Sequence, residues 1–150
     1  MRRSRSVLAL LAFAVALGAA GCSSWTEMTG PNAEDLDRAM SAFRKQMLFG
    51  RYANAKTLVY PAAKPAFTRF TFEVEDRLRV TEFEVEDVLI SAVPEDDAVD
   101  PGDPREARVQ VRVEYTMRPD MEVHRALVPM VWVPVSGGWM LDFPEDGWKL

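Results

Sequence analysis

The feature that most constrains the fold is a strict alternation of apolar and polar residues over residues 107–117. Every second side chain from Ala107 to Met117 is apolar or aromatic, whereas the side chains between them are polar or charged. Because neighbouring side chains of a strand point to opposite faces, this pattern predicts a β-strand with one buried and one exposed face. Such a strand needs partner strands and a covering layer, so the chain must build a sheet.

Three further strands are predicted on either side of this one. Residues 80–90 also alternate, but the apolar phase shifts partway, which predicts a β-bulge near residues 86–87. Residues 122–135 predict a third strand, and Ser136-Gly137-Gly138 predicts a tight hairpin into a fourth strand at residues 139–143.

The third strand carries two prolines inside its apolar pattern. Pro129 and Pro134 each lack the backbone N–H that a central strand uses in its ladder. We therefore expect either a bulge at these positions or a different order of the strands.

The third strand is also apolar on both faces, although its neighbour is polar on the outer face. This contrast predicts a local apolar patch on the outer face around Met130 and Trp132. Two interpretations stay open: the chain terminus covers the patch through Trp148 or Leu150, or the patch is an interface for a partner.

Helices are predicted before the strands. Apolar residues recur at steps of three and four between Asn32, a good N-cap, and Gly50, which ends the helix. A second, short helix is predicted at residues 51–60. Residues 65–78 fit either a helical stripe or a strand alternation; we favour the helix because its acidic residues would cover an outer face. The stripe of the first helix consists of Leu36, Met40, Phe43 and Met47.

Helices followed by strands predict an α+β fold in which N-terminal helices pack on a bent antiparallel sheet of about four strands. The chain has 150 residues, of which 48% are hydrophobic and 27% charged, a composition that argues against wholesale disorder. We assign residues 33–150 to a single domain.

The first 22 residues have the pattern of a bacterial export signal. Arginines at positions 2, 3 and 5 precede an uncharged run at residues 7–20, which as a helix would reach about 21 Å. A bilayer core is about 30 Å thick, so we interpret residues 1–21 as a cleaved signal peptide. Residues 19–22, Ala-Ala-Gly-Cys, resemble the lipobox of bacterial lipoproteins, which implies that the thiol of Cys22 is acylated after cleavage.

This resemblance implies a location as well. Residues 22–32 would form a tether, and Ser23 after the cysteine resembles outer-membrane sorting. Removing residues 1–21 takes away three arginines and no acidic residue, so the net charge of −5 becomes −8. Attraction to nucleic acid or anionic lipid is therefore not expected, and the lipid would be the link to the membrane.

The order of elements resembles the nuclear-transport-factor-2-like cone, also called cystatin-like α+β, in which N-terminal helices fill the concavity of a bent sheet. The resemblance is carried by residues 36–47, 50–52, 79–81, 131–133 and 138–139. It implies a cavity between helices and sheet, whose candidate lining residues are Phe43, Met47, Tyr52, Tyr115 and Trp139.

Candidate catalytic or metal-binding groups do not assemble into a known motif. Enzymes with the cone fold use a pocket carboxylate, tyrosine or histidine, so Tyr52, Tyr115, Asp142 and His124 are candidates. His124 follows Glu122 on the same strand face, but alternation places it with Ala126, outside the expected pocket.

The acidic residues of the loop at 94–106 lack the spacing of a calcium loop, and we interpret them as a solvated hairpin. Trp139, Phe143 and Trp148 are expected to close the core. No cofactor or metal is expected.

These observations favour a non-catalytic envelope lipoprotein, anchored in the membrane through its N-terminal lipid, that binds a protein partner or another envelope component. The alternative is a small apolar ligand binder or an enzyme that uses the interior of the cone. A large open cavity with a buried carboxylate would favour the second hypothesis.

Overall fold

A computed structural model describes residues 33–92 and 104–150. The signal peptide, Cys22, the tether and most of the acidic loop predicted above lie outside these residues. The helices are α1 (Ala33–Leu48), α2 (Tyr52–Ala55) and α3 (Lys64–Val74), with short 3-10 turns at Lys56–Leu58 and Pro61–Ala63. The strands are β1 (Leu78–Ala92), β2 (Pro104–Met117), β3 (Val123–Val135) and β4 (Gly138–Asp142).

Helix α1 forms where the apolar stripe predicts it. Its stripe is buried, and Glu34 and Asp35 lie in its first turn, where the helix dipole favours negative charge. The helix ends in a Schellman motif: the Gly50 N–H donates to the Met47 carbonyl and the Arg51 N–H to the Gln46 carbonyl. Gly50 has a φ of 63°, which explains why glycine stands there.

The segment between α1 and β1 confirms the helical alternative for most of residues 65–78. A strand would place Phe70 and Phe72 on one face, because they are two residues apart. Phe70 is buried together with Phe67, whereas Phe72 is 84% exposed, so Phe70 and Phe72 lie on different sides of a helix. The preceding helix is shorter than predicted, because the chain passes from α2 into a 3-10 turn. Val59 then forms an isolated bridge with Leu141 of β4.

The four strands form one antiparallel sheet in the order β1-β2-β3-β4. This arrangement confirms the predicted α+β class and the predicted number of strands. The β1–β2 ladder contains three register shifts, one of which lies between Val85 and Asp87, where the phase change in the sequence predicts a bulge.

The faces of β3 are the reverse of those predicted. Trp132 is paired with Ala107 and Met130 with Val109, so both side chains lie on the core face of the sheet, where they are 0% and 1% exposed. The outer-face patch predicted at Met130 and Trp132, whether covered by the chain terminus or used as an interface, is therefore wrong. The outer face receives the other apolar set of β3 instead, and Leu127 is 57% exposed there.

The two prolines of β3 require neither a bulge nor another strand order. The β2–β3 register runs without a shift from Thr116↔Val123 to Ala107↔Trp132. Strand β4 pairs only with Val131–Val135. At Pro129 the strand has β2 on one side and no described strand on the other, and at Pro134 it has β4 but no β2 partner. Each missing N–H is tolerated because one side of the strand is open at that position.

A continuous cluster of buried residues joins the three helices to all four strands. The C-terminal segment closes it, and Trp139, Phe143 and Trp148 are all buried there, as expected from the sequence. No helix within residues 33–92 and 104–150 combines the length and apolarity needed to cross a bilayer.

Candidate functional site

The interior between helices and sheet is filled by aromatic rings around Phe43. Its ring centroid lies 5.9 Å from that of Trp132 and 5.9 Å from that of Trp148. Phe67 and Phe83 lie at 6.1 Å and 6.4 Å. Three of the four contacts are edge-to-face, the arrangement that aromatic quadrupoles favour. Phe43 is therefore a packing residue at the centre of the core.

The five residues expected to line a common cavity do not share one. Met47 and Tyr52 line a small pocket of about 370 Å³ at the C-terminal end of α1, together with Leu78 and Val80. Phe43, Tyr115 and Trp139 are buried and line neither this pocket nor the larger groove described below.

Tyr52 lies at the wall of the small pocket, which also has five charged residues in its lining: Glu75, Asp76, Arg77, Arg79 and Arg118. Its hydroxyl donates a hydrogen bond of 3.2 Å to the carbonyl oxygen of Leu78, which ties α2 to the first residue of β1. Burial raises the pKa of Tyr52 above the ordinary value of 10.0, and the negative charge of Glu75 raises it further. The hydroxyl is therefore protonated at neutral pH and serves as a hydrogen-bond donor.

The remaining catalytic candidates lie at separate places. His124 is on the core face, because it pairs with Tyr115, and the two rings stack with centroids 5.4 Å apart. It shares this face with Ala126, as predicted, and it lines neither the small pocket nor the larger groove described below. Asp142 is exposed at the end of β4. Within the described residues no three His, Cys, Asp or Glu side chains are grouped so that they could hold a metal ion.

A second, larger concave feature is an open groove of about 970 Å³ beside the β3 strand, which we call the edge groove. Residues of α3 and the turn before it, among them Ala62 and Ala66, form one wall. Four residues of β3 form the opposite wall: Leu127, Val128, Pro129 and Val131. The segment from Asp142 to Lys149 borders the groove. The apolar side chains that line it include Val128, Phe143 and Trp148.

The wall formed by β3 is a strand edge that no described strand covers. Strand β4 ends at Asp142, opposite Val131, after which the chain turns into the core at Phe143. The first eight residues of β3, 123–130, therefore have β2 on one side only. We call these residues the open edge.

The hairpin determines which backbone groups of the open edge are free. A two-residue loop joins Val135 to Gly138, so these two residues form a hydrogen-bonded pair. Backbone N–H and C=O groups alternate in direction along a strand. The odd-numbered residues of β3 therefore direct these groups towards β4, and the even-numbered residues direct them towards β2. Leu141 of β4 is paired with the even-numbered Trp132, so its backbone groups should point away from β3. They do: the Leu141 carbonyl accepts a 2.8 Å hydrogen bond from the Tyr60 N–H on the far side of β4. Continued along β3, the phase directs the backbone groups of Arg125 and Leu127, and the carbonyl of Pro129, to the open side.

The border of the edge groove carries three acidic and two basic residues. Asp142, Glu145 and Asp146 are exposed there, and no ion pair within the described part of the chain involves these carboxylates. The guanidinium of Arg69 donates a 2.6 Å hydrogen bond to the Glu145 backbone carbonyl, which ties α3 to the C-terminal segment. Lys149 is the other basic residue at the border.

Sequence reasoning missed the edge groove because its walls come from three distant segments. Two local signals point towards it: Pro129, which suits only a strand that is open on one side, and the shortness of the fourth strand. Neither signal identifies α3 as the opposite wall, since that depends on the packing of the helix.

No protein-family model matches the chain, and no curated protein sequence matches it either. Function must therefore be inferred from the residues and geometry of this chain itself.

Proposed function

We propose that this chain is a lipid-anchored protein of the bacterial cell envelope, held in the membrane by acylated Cys22, whose α+β domain binds a protein partner or another envelope component without catalysis. The observation that carries the anchor is the sequence of residues 1–22: a basic start, an apolar run too short for a span, and a lipobox-like end with the only cysteine of the chain. Ser23 favours the outer membrane.

A binding role for the domain is supported by the edge groove. The groove combines an uncovered strand edge with apolar side chains, and Leu127 is 57% exposed beside it. Exposed apolar surface of this kind is typical of interaction sites. The core around Phe43 is filled with rings, so the interior itself offers less room for a ligand.

We also propose that the domain is a nuclear-transport-factor-2-like cone. Three observations support this assignment: helices precede all strands, they pack on one face of an antiparallel sheet, and the β1–β2 ladder has three irregularities of the kind that bend strands.

The second candidate function is binding of a small apolar ligand. The pocket of about 370 Å³ beside Met47 supports it, because Met47, Leu48, Leu78 and Val80 supply apolar side chains to its wall, while charged residues line the rest of the pocket. This site would require no catalysis.

The anchor is tested by the substitution Cys22→Ser in the full chain, expressed in a diderm bacterium. We expect the native chain to fractionate with the membrane and to begin at Cys22 with attached fatty acids, measured by mass spectrometry. Cys22→Ser should persist as a precursor that is longer by 21 residues. The control Ser23→Ala should be processed normally. A Cys22→Ser chain that is cleaved and localised like the parent would contradict the anchor.

A further inference from the structure

We propose that three arginines at the small pocket bind a phosphate group that carries an apolar substituent. The three residues are Arg77, Arg79 and Arg118, which we call the arginine cluster, and all of them line the pocket. This inference rests on the second candidate function, because it names the chemical class of the ligand that the pocket takes. It does not depend on the lipid anchor.

The end of the β1–β2 ladder brings the arginine cluster together. The ladder begins with the pair Leu78↔Met117, and the Arg118 N–H just beyond it donates a 2.9 Å hydrogen bond to the Arg77 carbonyl. Arg77 and Arg118 are therefore direct neighbours across the two chain segments. Arg79 follows Arg77 by two residues, so strand alternation directs both side chains to the same face.

This arrangement costs stability unless an anion neutralises it. Like charges that lie opposite each other on neighbouring strands repel. Within residues 33–92 and 104–150, none of the three guanidinium groups forms an ion pair or a hydrogen bond, and all three residues are exposed. The cluster is therefore available to an anionic ligand.

A phosphate group matches the arginine cluster better than a carboxylate does. A phosphate monoester carries about −1.5 to −2 charges near neutral pH and offers three acceptor oxygens. A carboxylate offers one charge and two oxygens. Guanidinium groups bind phosphate through paired hydrogen bonds, so three arginines correspond in number to the three oxygens of the monoester.

The carboxylates of Glu75 and Asp76 also line the pocket, but they do not cancel its positive charge. The pKa of Tyr52 is raised by burial and then by Glu75, so the charge of Glu75 lies towards α2. The guanidinium of Arg51 lies 5.5 Å from the ring centroid of Phe49, which lines the pocket, and adds a fourth cation at the border. Because charges are screened beyond about 8 Å at physiological ionic strength, these near cations outweigh the negative net charge of the chain.

A hydroxyl without a partner lies beside the arginine cluster. Thr116 is paired with Arg79, and Arg118 follows Thr116 by two residues on the same face. Thr116 is only 8% exposed, and its hydroxyl has no hydrogen-bond partner in the part of the chain that the structure describes. Such a hydroxyl is destabilising, and a phosphate oxygen would accept its hydrogen bond. Because the side chains of Arg79 and Arg118 are exposed, they can move and admit that oxygen.

The apolar substituent follows from the rest of the lining. Phe49 is 65% exposed and Met121 is 52% exposed, and both line the pocket beside the buried Met47 and Val80. Met121 also has a φ of 57°, a left-handed conformation that is uncommon outside glycine and concentrates at functional sites. A volume of about 370 Å³ suits a small ligand.

Binding is tested by isothermal titration calorimetry on the full chain, purified from the envelope in a non-ionic detergent. Phenyl phosphate should bind saturably. It should bind at least tenfold more tightly than inorganic phosphate, which lacks the apolar group, and than benzyl alcohol, which lacks the charge. Benzylammonium, a cation of similar size, should bind more weakly than either.

The outcomes separate this inference from the function on which it rests. Equal affinity for phenyl phosphate and benzyl alcohol would leave an apolar ligand and overturn the inference. Equal affinity for inorganic phosphate, or for benzylammonium, would also overturn it. Absence of binding by every probe would contradict the second candidate function as well.

The source of the phosphate is distinguished with dibutanoylphosphatidic acid, a water-soluble lipid that carries a phosphate monoester. Tighter binding of this lipid than of phenyl phosphate would support the inference with a membrane lipid as the source. Tighter binding of phenyl phosphate would support it with a soluble phosphate ester as the source.

Two matched double variants locate the site. Arg77→Gln with Arg118→Gln should weaken binding of phenyl phosphate at least tenfold, because two of the three guanidinium groups are lost. The control, Arg38→Gln with Arg108→Gln, removes the same charge at exposed positions outside the pocket and should leave the affinity unchanged. Thermal unfolding should show that both variants fold, since none of these four residues is buried. Equal effects on affinity would show attraction by net charge alone and would overturn the site.

The hydroxyl is tested by Thr116→Val, which removes the donor and keeps the shape of the side chain. The affinity for phenyl phosphate should fall about fivefold. The melting temperature without ligand should not fall, because the hydroxyl has no partner among the described residues of the free protein. Unchanged affinity would overturn the role of Thr116, and so would a lower melting temperature, since it would reveal a partner in the free protein.

Discussion

Phe43 is the residue at which the helices meet the sheet. Its ring contacts aromatic rings of α3, β1, β3 and the C-terminal segment. A smaller side chain would leave a cavity that several rigid rings surround, so the site has little freedom to collapse.

We therefore expect Phe43→Ala to lower the free energy of unfolding by about 3–5 kcal/mol. The matched control is Phe72→Ala on α3, where the ring is 84% exposed and the change should be within about 0.5 kcal/mol. Urea denaturation followed by circular dichroism measures both. Similar losses for the two variants would contradict the central packing role of Phe43.

Tyr52 makes the free energy of unfolding depend on pH at values above those at which carboxylates and histidine titrate. Its folded-state pKa is raised above the ordinary 10.0 by burial and by Glu75. Above pH 10 the unfolded chain releases this proton more readily than the folded chain, so unfolding becomes more favourable as pH rises.

Tyr52→Phe should remove this contribution. At pH 7 we expect the variant to be less stable by about 1 kcal/mol, because the 3.2 Å hydrogen bond to the Leu78 carbonyl is lost. The difference between wild type and variant should shrink as pH rises beyond 10. Urea titrations at pH 8 and pH 10.5 measure it, and a difference that grows over this interval would contradict the raised pKa.

At the scale of elements, the C-terminal end of α1 depends on the left-handed backbone conformation of Gly50. Gly50 has a φ of 63°, and a Cβ added there would meet no heavy atom within 4 Å. Backbone strain alone therefore decides the effect of a substitution.

Gly50→Ala should destabilise the domain by about 1 kcal/mol. Gly50→Asn should cost less, since asparagine tolerates the left-handed conformation better than alanine does. Thermal unfolding of the three proteins measures the order. If alanine proves as stable as glycine, Gly50 does not hold this conformation.

The individual elements could be predicted where one side of the pattern is clearly polar. Strand β2 has charged residues at alternate positions and α1 has one apolar stripe, so each pattern has a single consistent solution. Strand β3 has apolar residues on both faces, and the alternation alone predicts the wrong face as buried. Its register against β2 decides the matter, because a shift of one residue exchanges the two faces of the strand.

At the scale of the molecule, the buried cluster leaves no division between the helical layer and the sheet. Trp148 of the C-terminal segment contacts Phe43 of α1 and Phe70 of α3, so chain closure and helix packing depend on each other. Such a structure should lose both layers together.

We expect a single unfolding transition in urea. The signal of the buried tryptophans, followed by fluorescence, and the far-ultraviolet circular dichroism of helices and strands should have the same midpoint. Trp25→Phe serves as a control, since this substitution removes a tryptophan outside the described domain. Separate midpoints would show that helices and sheet unfold independently.

The candidate site was the least predictable part of the molecule. The resemblance to the cone fold predicts one cavity lined by five residues. Of these five residues, the structure brings only Met47 and Tyr52 to the small pocket. The edge groove joins α3 to β3 and to the C-terminal segment. No local pattern contains that information, because the groove exists only where β4 stops short of the full length of β3.

The sequence by itself determined the α+β class, the order of the elements, the bulge of β1 and the chemistry of the proposed lipid anchor. All of these are local properties, since they depend on side-chain period, turn residues and the composition of one short segment. Tertiary structure alone decided which face of β3 is buried, where the strand edge stays open and which side chains border the groove. These properties depend on strand register and strand length, which are set only when distant segments pair.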